Sequence, residues 1–348
     1  MKLAYIILAH KNALQVKRLY ERLNCQNTTF VLHISKTSEK GLFKELVCLL
    51  KNKRNVHFCK REDGTHNSFG VIKGILNALN LLIKTNVEFD YVNLISGQDY
   101  PLKTNEYIND FFKNNNGKQF IEHWPLFPDK HSEFYNNHPW GNHRQLYRIE
   151  HFNIKFLGKK HSIPEIESGR LISHNLYNTL KIFIYETPKY IREKKWREEA
   201  LLLFFSRILP HKRKIPQNFE IYGGKTWWSI TKDCAEYIAN YAKVNKKFNN
   251  FFKYTLIPDE MYFQTLLLNS PYKNKIENNF MREVELEGGD GTHPIFFTSS
   301  HFERLKNTKS LFARKFDTNI DSEIIDIIDE NMLNFNEIQH KESSENSF

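Results

Sequence analysis

The sequence predicts an α/β fold in which a mostly parallel sheet is flanked by helices. The main observation is that short apolar runs of strand length alternate with amphipathic helical patterns through the first hundred residues. The predicted strands lie at residues 3–9, 30–34, 56–60 and 91–95. The predicted helices lie at residues 13–23, 40–51, 68–84 and 105–114. A second observation is that the pattern returns later, with a strand at 226–230 and helices at 232–241 and 322–333.

The chain of 348 residues is predicted to form one domain over residues 1–334. Residues 1–124 and 216–334 are its two halves. Residues 125–215 are less regular and rich in His, Asn, Lys and aromatic residues, so we interpret them as a variable insertion that carries helices, one of them at 191–209. Residues 335–348 form a polar tail for which the composition predicts disorder.

The composition limits the possible partners and compartments. A formal net charge of +10 favours acidic partners, namely nucleotide phosphates, nucleic acid or an anionic membrane surface. The cysteines have no C-x-x-C spacing, which favours a reducing compartment. No apolar run approaches the length of a membrane span, and the short apolar N-terminal run is followed by Lys and Arg rather than a cleavage site. The sequence therefore predicts a cytoplasmic protein.

Polar residues follow three predicted strands at the edge where ligands of parallel sheets bind. They are His10, the segment 33–36 with His33 and Ser35, and the segment 96–99. In the last of these, Gly97 permits a tight turn that would present Asp99 at this edge. The alternative is that Asp99 only closes a turn before Pro101.

Three further segments carry side chains suited to chemistry. Pro258-Asp259-Glu260 places acids in the predicted first turn of an apolar helix, where the dipole keeps a carboxylate ionised, although ordinary helix-start chemistry explains the same pattern. A glycine pair precedes Trp227 and Trp228, whose rings suit either stacking on sugars and bases or the core. Arg314 and Lys315 lie between two aromatic residues, as in a diphosphate-binding clamp or a solvated basic edge.

Together these segments resemble the core-2/I-branching N-acetylglucosaminyltransferase family, which also includes peptide xylosyltransferases. The resemblance runs from residue 3 to about 330 and is weakest over 125–215. It is carried by Ile7-Leu8-Ala9-His10, Val31-Leu32-His33-Ile34-Ser35-Lys36, Ser96-Gly97-Gln98-Asp99, Phe120-Ile121-Glu122, the Gly-Gly-x-x-Trp-Trp-Ser segment, Pro258-Asp259-Glu260 and Phe312-Ala313-Arg314-Lys315-Phe316-Asp317.

The resemblance implies a GT-A-like, Rossmann-related fold that transfers sugar from a UDP-sugar with inversion and without a divalent metal or other cofactor. The sequence contains no Asp-x-Asp triplet, which agrees with metal independence. By the same resemblance Glu260 is the general base. The resemblance assigns Lys315, with Arg314 beside it, to the diphosphate, and their position at the edge of the sheet adds His10, His33, Ser35 and Asp99 as donor- and UDP-binding residues. The resemblance makes Glu122 an acceptor-binding residue, and the suitability of aromatic rings for stacking on sugars adds Trp227 and Trp228. Residues 1–124 become the nucleotide-sugar-binding half, 125–215 the acceptor side and 216–334 the catalytic half.

Two positions depart from the family pattern. Ser35 stands where the family usually has Asp at the nucleotide end of the site, which leaves the donor open. Ile295 and Phe296 follow His293-Pro294, where the family usually has a basic residue, and Arg304 is the candidate substitute.

The expected function is transfer of N-acetylglucosamine from its UDP-sugar to a hydroxyl of a glycan acceptor. The bias toward Lys, Asn, Ile and Phe indicates an AT-rich bacterium, and therefore a role in surface polysaccharide such as capsule or lipopolysaccharide. We expect the enzyme to attach reversibly to the anionic inner face of the membrane, with a lipid-linked glycan as acceptor. One alternative keeps the fold with UDP-xylose, UDP-galactose or UDP-glucose as donor. Another is a basic nucleic-acid-binding protein, although the basic residues are spread out and no nucleic-acid motif is present. A third is an inactive family member.

Overall fold

The computed structural model describes residues 1–65, 68–85, 87–141, 145–156, 159–163, 212–287 and 293–335. The predicted helix at 191–209 and almost all of the polar tail lie outside these ranges. In the first part of the chain the elements are β1 (Leu3–Ala9), α1 (Ala13–Leu23), β2 (Thr28–Ile34), α2 (Leu42–Leu50), β3 (Val56–Phe58), α3 (Phe69–Lys84), β4 (Tyr91–Ser96), β5 (Asp99–Pro101), α4 (Asn105–Asn114), β6 (Gln119–Ile121), β7 (Trp124–Pro125), α5 (Glu133–Asn137), α6 (Tyr147–Glu150), β8 (Phe152–Phe156) and β9 (Lys159–Ile163).

The later part of the chain contains the remaining elements. They are β10 (Tyr222–Gly223), β11 (Trp228–Thr231), α7 (Lys232–Val244), α8 (Lys246–Lys253), α9 (Tyr262–Leu268), β12 (Ile276–Glu277), β13 (Arg282–Val284), α10 (Phe302–Asn307), β14 (Phe312–Arg314) and α11 (Glu323–Asn331). The helix α8 is absent from the sequence prediction, although Phe248, Phe251 and Phe252 have the i, i+3, i+4 spacing of an amphipathic helix and are buried.

The chain divides into two compact units. The first comprises Met1–Trp124, Tyr222–Val244 and Asp259–Phe348, and the second comprises Pro125–Ile221 and Asn245–Pro258. In the second unit, β8 and β9 form an antiparallel hairpin. Arg213 is buried there and donates hydrogen bonds to the Phe251 carbonyl and to Thr255 Oγ1, so it ties two segments of this unit together.

The first unit contains a seven-stranded central sheet with the order β12-β6-β11-β4-β1-β2-β3. β1 is parallel to β2 and β4, β2 is parallel to β3, and β6 is parallel to β12. Only β11, between β4 and β6, runs antiparallel to its neighbours. The predicted fold class, a mostly parallel sheet flanked by helices in the GT-A manner, is confirmed.

The sheet forms because its central strands are apolar on both faces. All residues of β4 are buried, and of β1 only Leu8 is partly exposed, as expected for a strand covered on both sides. The helix α1 starts where Asn12 Oδ1 accepts a hydrogen bond from the Gln15 backbone N–H at 3.1 Å. Its apolar face packs into the same core. These contacts fix the carboxyl ends of β1, β2 and β4 side by side.

A smaller three-stranded sheet joins distant parts of the chain in the order β13-β14-β5. β14 runs antiparallel to β5, with Arg314 opposite Asp99. The smaller sheet thus brings the late basic segment to the turn that follows β4. In the described ranges, no helix combines the length and apolarity needed to span a bilayer.

Candidate active site

Asp99 is the first residue of β5, directly after the turn that follows β4, and is completely buried. Its Oδ2 accepts a hydrogen bond from the Ser96 backbone N–H at 3.1 Å, and its Oδ1 forms an ion pair with Arg314 Nη1 at 3.5 Å. Burial raises the pKa of Asp99, while the charges of Arg314 and Arg282 act in the opposite direction. The carboxylate therefore depends on its arginine neighbours to stay ionised.

Arg314 is held between Asp99 and the ring of Trp227. Its guanidinium carbon lies 4.1 Å from the Trp227 ring centroid, a cation–π contact. Burial lowers the pKa of Arg314, and the charge of Asp99 opposes this shift. Trp227, whose ring we expected to stack on a sugar or base, therefore stacks on the guanidinium of Arg314.

Lys315, the next residue, faces a different ring. Its Nζ lies 4.2 Å from the centroid of Phe296, and the Nζ of Lys11 lies 5.5 Å from the same centroid. The pKa of Lys315 is lowered by burial and by the charges of Arg314 and Lys11. Lys11 in turn forms an ion pair with Asp317.

His10 follows β1 and completes this cluster. The pKa of its imidazole is lowered, first by partial desolvation and then by Lys11, with smaller contributions from Arg314 and Lys315. The structure therefore gathers His10, Asp99, Arg314 and Lys315 at the carboxyl edge of the parallel strands. We refer to His10, Lys11, Arg314 and Lys315 as the basic cluster.

His33 and Ser35 are placed differently, because both side chains are buried beneath the 61–65 segment. His33 Nε2 accepts a hydrogen bond from the Glu62 backbone N–H at 3.0 Å, and burial lowers the pKa of His33 to about 4. Ser35 Oγ accepts hydrogen bonds from the backbone N–H groups of Thr37 and Gly64, at 3.1 and 3.0 Å. Both side chains therefore hold the 61–65 loop in place. In these positions they would affect donor binding through that loop rather than by direct contact.

The two carboxylates of the Pro-Asp-Glu segment differ in their surroundings. Asp259 is buried and accepts a hydrogen bond from Thr226 Oγ1 at 2.9 Å, whereas Glu260 is partly exposed. The prediction that they lie in the first turn of an α-helix is wrong. Pro258–Glu260 forms a separate 3-10 turn, and Met261, with a φ of −137°, lies between it and α9. The dipole of α9 therefore does not act on Glu260 as a first-turn residue.

The predicted acceptor residues also differ from one another. Glu122 follows β6, and its Oε2 is buried without a hydrogen-bond partner among the residues that the structure describes. Burial raises the pKa of Glu122, and the charge of Lys225 opposes this shift. Trp227 is partly exposed, but Trp228 is fully buried with its ring 5.6 Å from that of Phe263. A ring without exposed surface cannot contact an acceptor, so the prediction narrows to Trp227.

Three contacts link the segments in which we expect the chemistry. Thr226 donates a hydrogen bond to Asp259. The adjacent Trp227 stacks on Arg314, and Arg314 forms an ion pair with Asp99. The turn that carries Glu260 and the basic cluster are therefore connected through one short segment. Arg304 pairs instead with Glu283 and Glu285, so its guanidinium already has carboxylate partners.

Sequence reasoning missed Arg282, Lys11 and Phe296. Arg282 is buried and donates to the Leu94 carbonyl at 2.9 Å, behind Asp99, and burial lowers its pKa to about 10. No local pattern marks Arg282 or Phe296. Lys11 could have been found, because it follows β1 directly beside His10.

Metal ligation was not expected. Over the described ranges, no group of three or more His, Cys, Asp and Glu side chains is arranged to hold a metal ion. Metal independence of the reaction stays a prediction.

A mostly parallel sheet with a basic cluster at the carboxyl ends of its strands has the arrangement in which α/β proteins commonly bind ligands. The family model of the Core-2/I-Branching enzyme matches residues 3–154 and 170–308. The chain therefore belongs to the Core-2/I-Branching enzyme family, a family of glycosyltransferases.

Two relatives show how the chain compares with longer proteins. It is 23% identical over 349 residues to xylosyltransferase 2 of Rattus norvegicus, covering 94% of this chain and 33% of that protein. It is 22% identical over 318 residues to beta-glucuronosyltransferase GlcAT14A of Arabidopsis thaliana, covering 88% of this chain and 59% of that protein. The chain thus spans about a third of the length of the rat relative.

The structural comparison is much weaker. A solved structure of 4-diphosphocytidyl-2C-methyl-D-erythritol synthase from Anaerococcus prevotii is 14% identical in sequence and covers 37% of this chain and 57% of its own, with a TM-score of 0.24. A TM-score this low has no bearing on fold or function.

Proposed function

We propose that this protein transfers a sugar from a UDP-sugar to a hydroxyl of a glycan acceptor, with inversion and without a divalent metal. The observation that supports this proposal is the basic cluster at the carboxyl edge of the sheet, linked through Trp227 to the turn that carries Glu260. The cluster suits a leaving diphosphate, and the carboxylate suits a general base.

In the proposed mechanism, the acceptor hydroxyl oxygen attacks the anomeric carbon on the side opposite UDP. Glu260 takes the hydroxyl proton as the new carbon–oxygen bond forms. The bond to the diphosphate breaks, and its electron pair stays on the diphosphate oxygen. Lys315, with Arg314 behind it, stabilises that negative charge. Because the reaction is a single displacement at the anomeric carbon, the configuration of that carbon is inverted.

The division of work between Arg314 and Lys315 follows from their neighbours. Arg314 is paired with Asp99 and stacked on Trp227, so much of its charge is already balanced. Lys315 has no carboxylate within ion-pair distance among the described residues. Lys315 is therefore the stronger candidate for direct phosphate contact, and Arg314 for holding the site in shape.

For the donor sugar we propose N-acetylglucosamine, as the sequence analysis predicts. The names of the relatives support xylose and glucuronic acid as competing donors. The basic cluster would contact the diphosphate that all these donors share, so it does not select among them.

The proposed acceptor is a lipid-linked glycan in bacterial surface polysaccharide synthesis, used by a cytoplasmic enzyme held at the inner membrane face. The net charge of +10 supports attraction to anionic lipids.

A donor screen tests the proposed function. The purified protein is incubated with UDP-N-acetylglucosamine, UDP-xylose, UDP-glucuronic acid, UDP-galactose and UDP-glucose, and UDP release is measured with and without EDTA. We expect release from one donor, with N-acetylglucosamine first, and no loss of rate in EDTA. A strict requirement for added manganese or magnesium would refute the metal-independent mechanism, and no release from any donor would refute the proposed use of these UDP-sugars.

A further inference from the structure

The basic cluster contains a cation that the proposed mechanism has not used. Lys11 follows β1, at the carboxyl edge of the sheet, and its Nζ lies over the Phe296 ring. Lys315 Nζ lies over the same ring. Two ammonium groups from opposite ends of the chain therefore share one aromatic ring, and the sum of their distances to its centroid limits their separation.

The two lysines at this ring differ in their carboxylate partners. Asp317 is paired with Lys11, with 2.5 Å between its Oδ2 and Lys11 Nζ, and it also attracts Lys315 more weakly. In the described part of the chain, Lys315 has no carboxylate at ion-pair distance, although Asp317 and Glu287 attract it from further away, and His10 and Arg314 lie near both lysines. Like charges this close repel one another unless an anion joins them. A negatively charged ligand between the two lysines would relieve this repulsion.

Lys11 is also able to release its present partner. Its side chain keeps 25% of its surface exposed, whereas that of Asp317 keeps 6%. Asp317 is fixed by a second bond, because its Oδ1 accepts from the Asn319 backbone N–H at 3.0 Å. The ammonium can therefore turn toward a ligand while the carboxylate stays in place.

We propose that Lys11 is a second phosphate-binding residue, which joins Lys315 on the diphosphate of the donor, and that Asp317 holds Lys11 beside Phe296 until the diphosphate arrives. This inference rests on the proposed function. Two ammonium groups around one ring can donate to different phosphates, which orients the diphosphate in a way that one lysine cannot.

The test compares two substitutions with opposite expected effects on UDP binding, measured by calorimetry at fixed ionic strength. Lys11→Met removes the charge and keeps most of the length, and it should weaken UDP and pyrophosphate binding about 10- to 100-fold. Asp317→Asn frees the ammonium and removes a competing negative charge, so it should tighten UDP binding. Lys11→Arg keeps the charge and should stay within a few-fold of wild type.

Lys17→Met is the matched control. Lys17 lies on α1, where it pairs with Glu21 at 3.2 Å, and it is outside the cluster. This variant should bind UDP like the wild type.

The outcomes separate the inference from the function on which it rests. If wild type binds UDP and pyrophosphate and Lys11→Met binds them equally well, the role of Lys11 is overturned alone. If Asp317→Asn weakens binding as much as Lys11→Met, Lys11 acts only by supporting Asp317, and the inference is again overturned. If wild type binds neither probe, the proposed function fails, and the inference fails with it. If the Lys11→Met protein does not fold, tighter UDP binding by Asp317→Asn than by wild type supports the inference, and unchanged or weaker binding overturns it.

Discussion

Individual residues of the site owe their chemistry to neighbours that are far away in the sequence. Asp99 is buried between two arginines, and Arg314 reaches it only because β14 pairs with β5. A carboxylate in this position can hold the guanidinium but has no exposed surface for a ligand. We therefore assign Asp99 to shaping the cluster and leave direct contact with the diphosphate to the lysines.

Substitution of Glu260 tests its proposed role as the general base. Glu260→Gln keeps the shape of the side chain but removes the base, so turnover should fall by on the order of 10²- to 10⁴-fold. UDP affinity should stay close to wild type, because the general base acts on the acceptor rather than on the diphosphate. Steady-state transfer assays and UDP calorimetry on the same preparation measure the two effects separately.

The matched control for that substitution is Glu330→Gln, an exposed position on α11. It should leave both the rate and the affinity unchanged. Transfer at the wild-type rate by Glu260→Gln would remove Glu260 from the role of base, and a parallel loss of UDP affinity would indicate damage to the site instead.

The sequence identifies some site residues and misses others for a physical reason. Asp99, Arg314 and Lys315 stand next to turns or strands whose pattern is local, so they can be found by reading along the chain. Arg282 and Phe296 gain their importance from tertiary contacts alone, and neither has a local signal. Trp228 shows the opposite case, because the local pattern marks both tryptophans, but Trp228 begins β11 and enters the core, whereas Trp227 precedes the strand and stays partly exposed.

The observed strands and helices match the predicted ones closely where the prediction rests on hydrophobic periodicity. The observed β1, α1 and α4 have the predicted limits, and the other strands and helices of the first hundred residues differ by a few residues at their ends. The Pro-Asp-Glu turn differs because proline and acids suit a 3-10 turn as well as an α-helix. Ile257, with a φ of +49°, bends the chain just before it. Such a backbone angle for an isoleucine is not readable from the residue type.

The helix α11 depends on one buried carboxylate. Asp329 is 3% exposed and accepts hydrogen bonds from Arg18 at 2.6 Å, Arg22 at 2.7 Å and the Tyr100 hydroxyl at 2.7 Å. Asp329→Ala would leave the buried guanidinium of Arg22 without its carboxylate, whereas the more exposed Arg18 would keep Asp326. We expect the free energy of unfolding to fall by about 3–5 kcal/mol, measured by urea denaturation.

Asp326 on the same helix supplies the control. It also pairs with Arg18, at 2.6 Å, but its side chain is 54% exposed. Asp326→Ala should therefore cost less than about 1 kcal/mol. Equal losses for the two variants would contradict the view that the buried carboxylate, rather than ion pairing in general, holds α11 to α1 and β5.

At the scale of the whole molecule, the charge is the property that reaches beyond the site. The net charge of +10 exceeds what the basic cluster needs for one diphosphate, and the lysines and arginines are spread over the sequence. A spread charge gives weak, additive attraction to an extended anionic surface rather than a tight contact at one point. This property favours the proposed reversible attachment to a membrane.

Attachment of this kind should respond to lipid charge and to salt in a defined way. Each basic residue near an anionic surface contributes roughly 1 kcal/mol, and the attraction is screened within about 8 Å at physiological ionic strength. In vesicle flotation, the protein should therefore bind phosphatidylserine- or phosphatidylglycerol-rich vesicles at low salt and leave them at 0.5 M salt or about that concentration, where the screening length is shorter still. Vesicles of pure phosphatidylcholine are the control and should not bind it under either condition. Binding to the neutral vesicles, or retention on the anionic ones after the salt wash, would indicate a hydrophobic contact and would contradict attachment by charge alone.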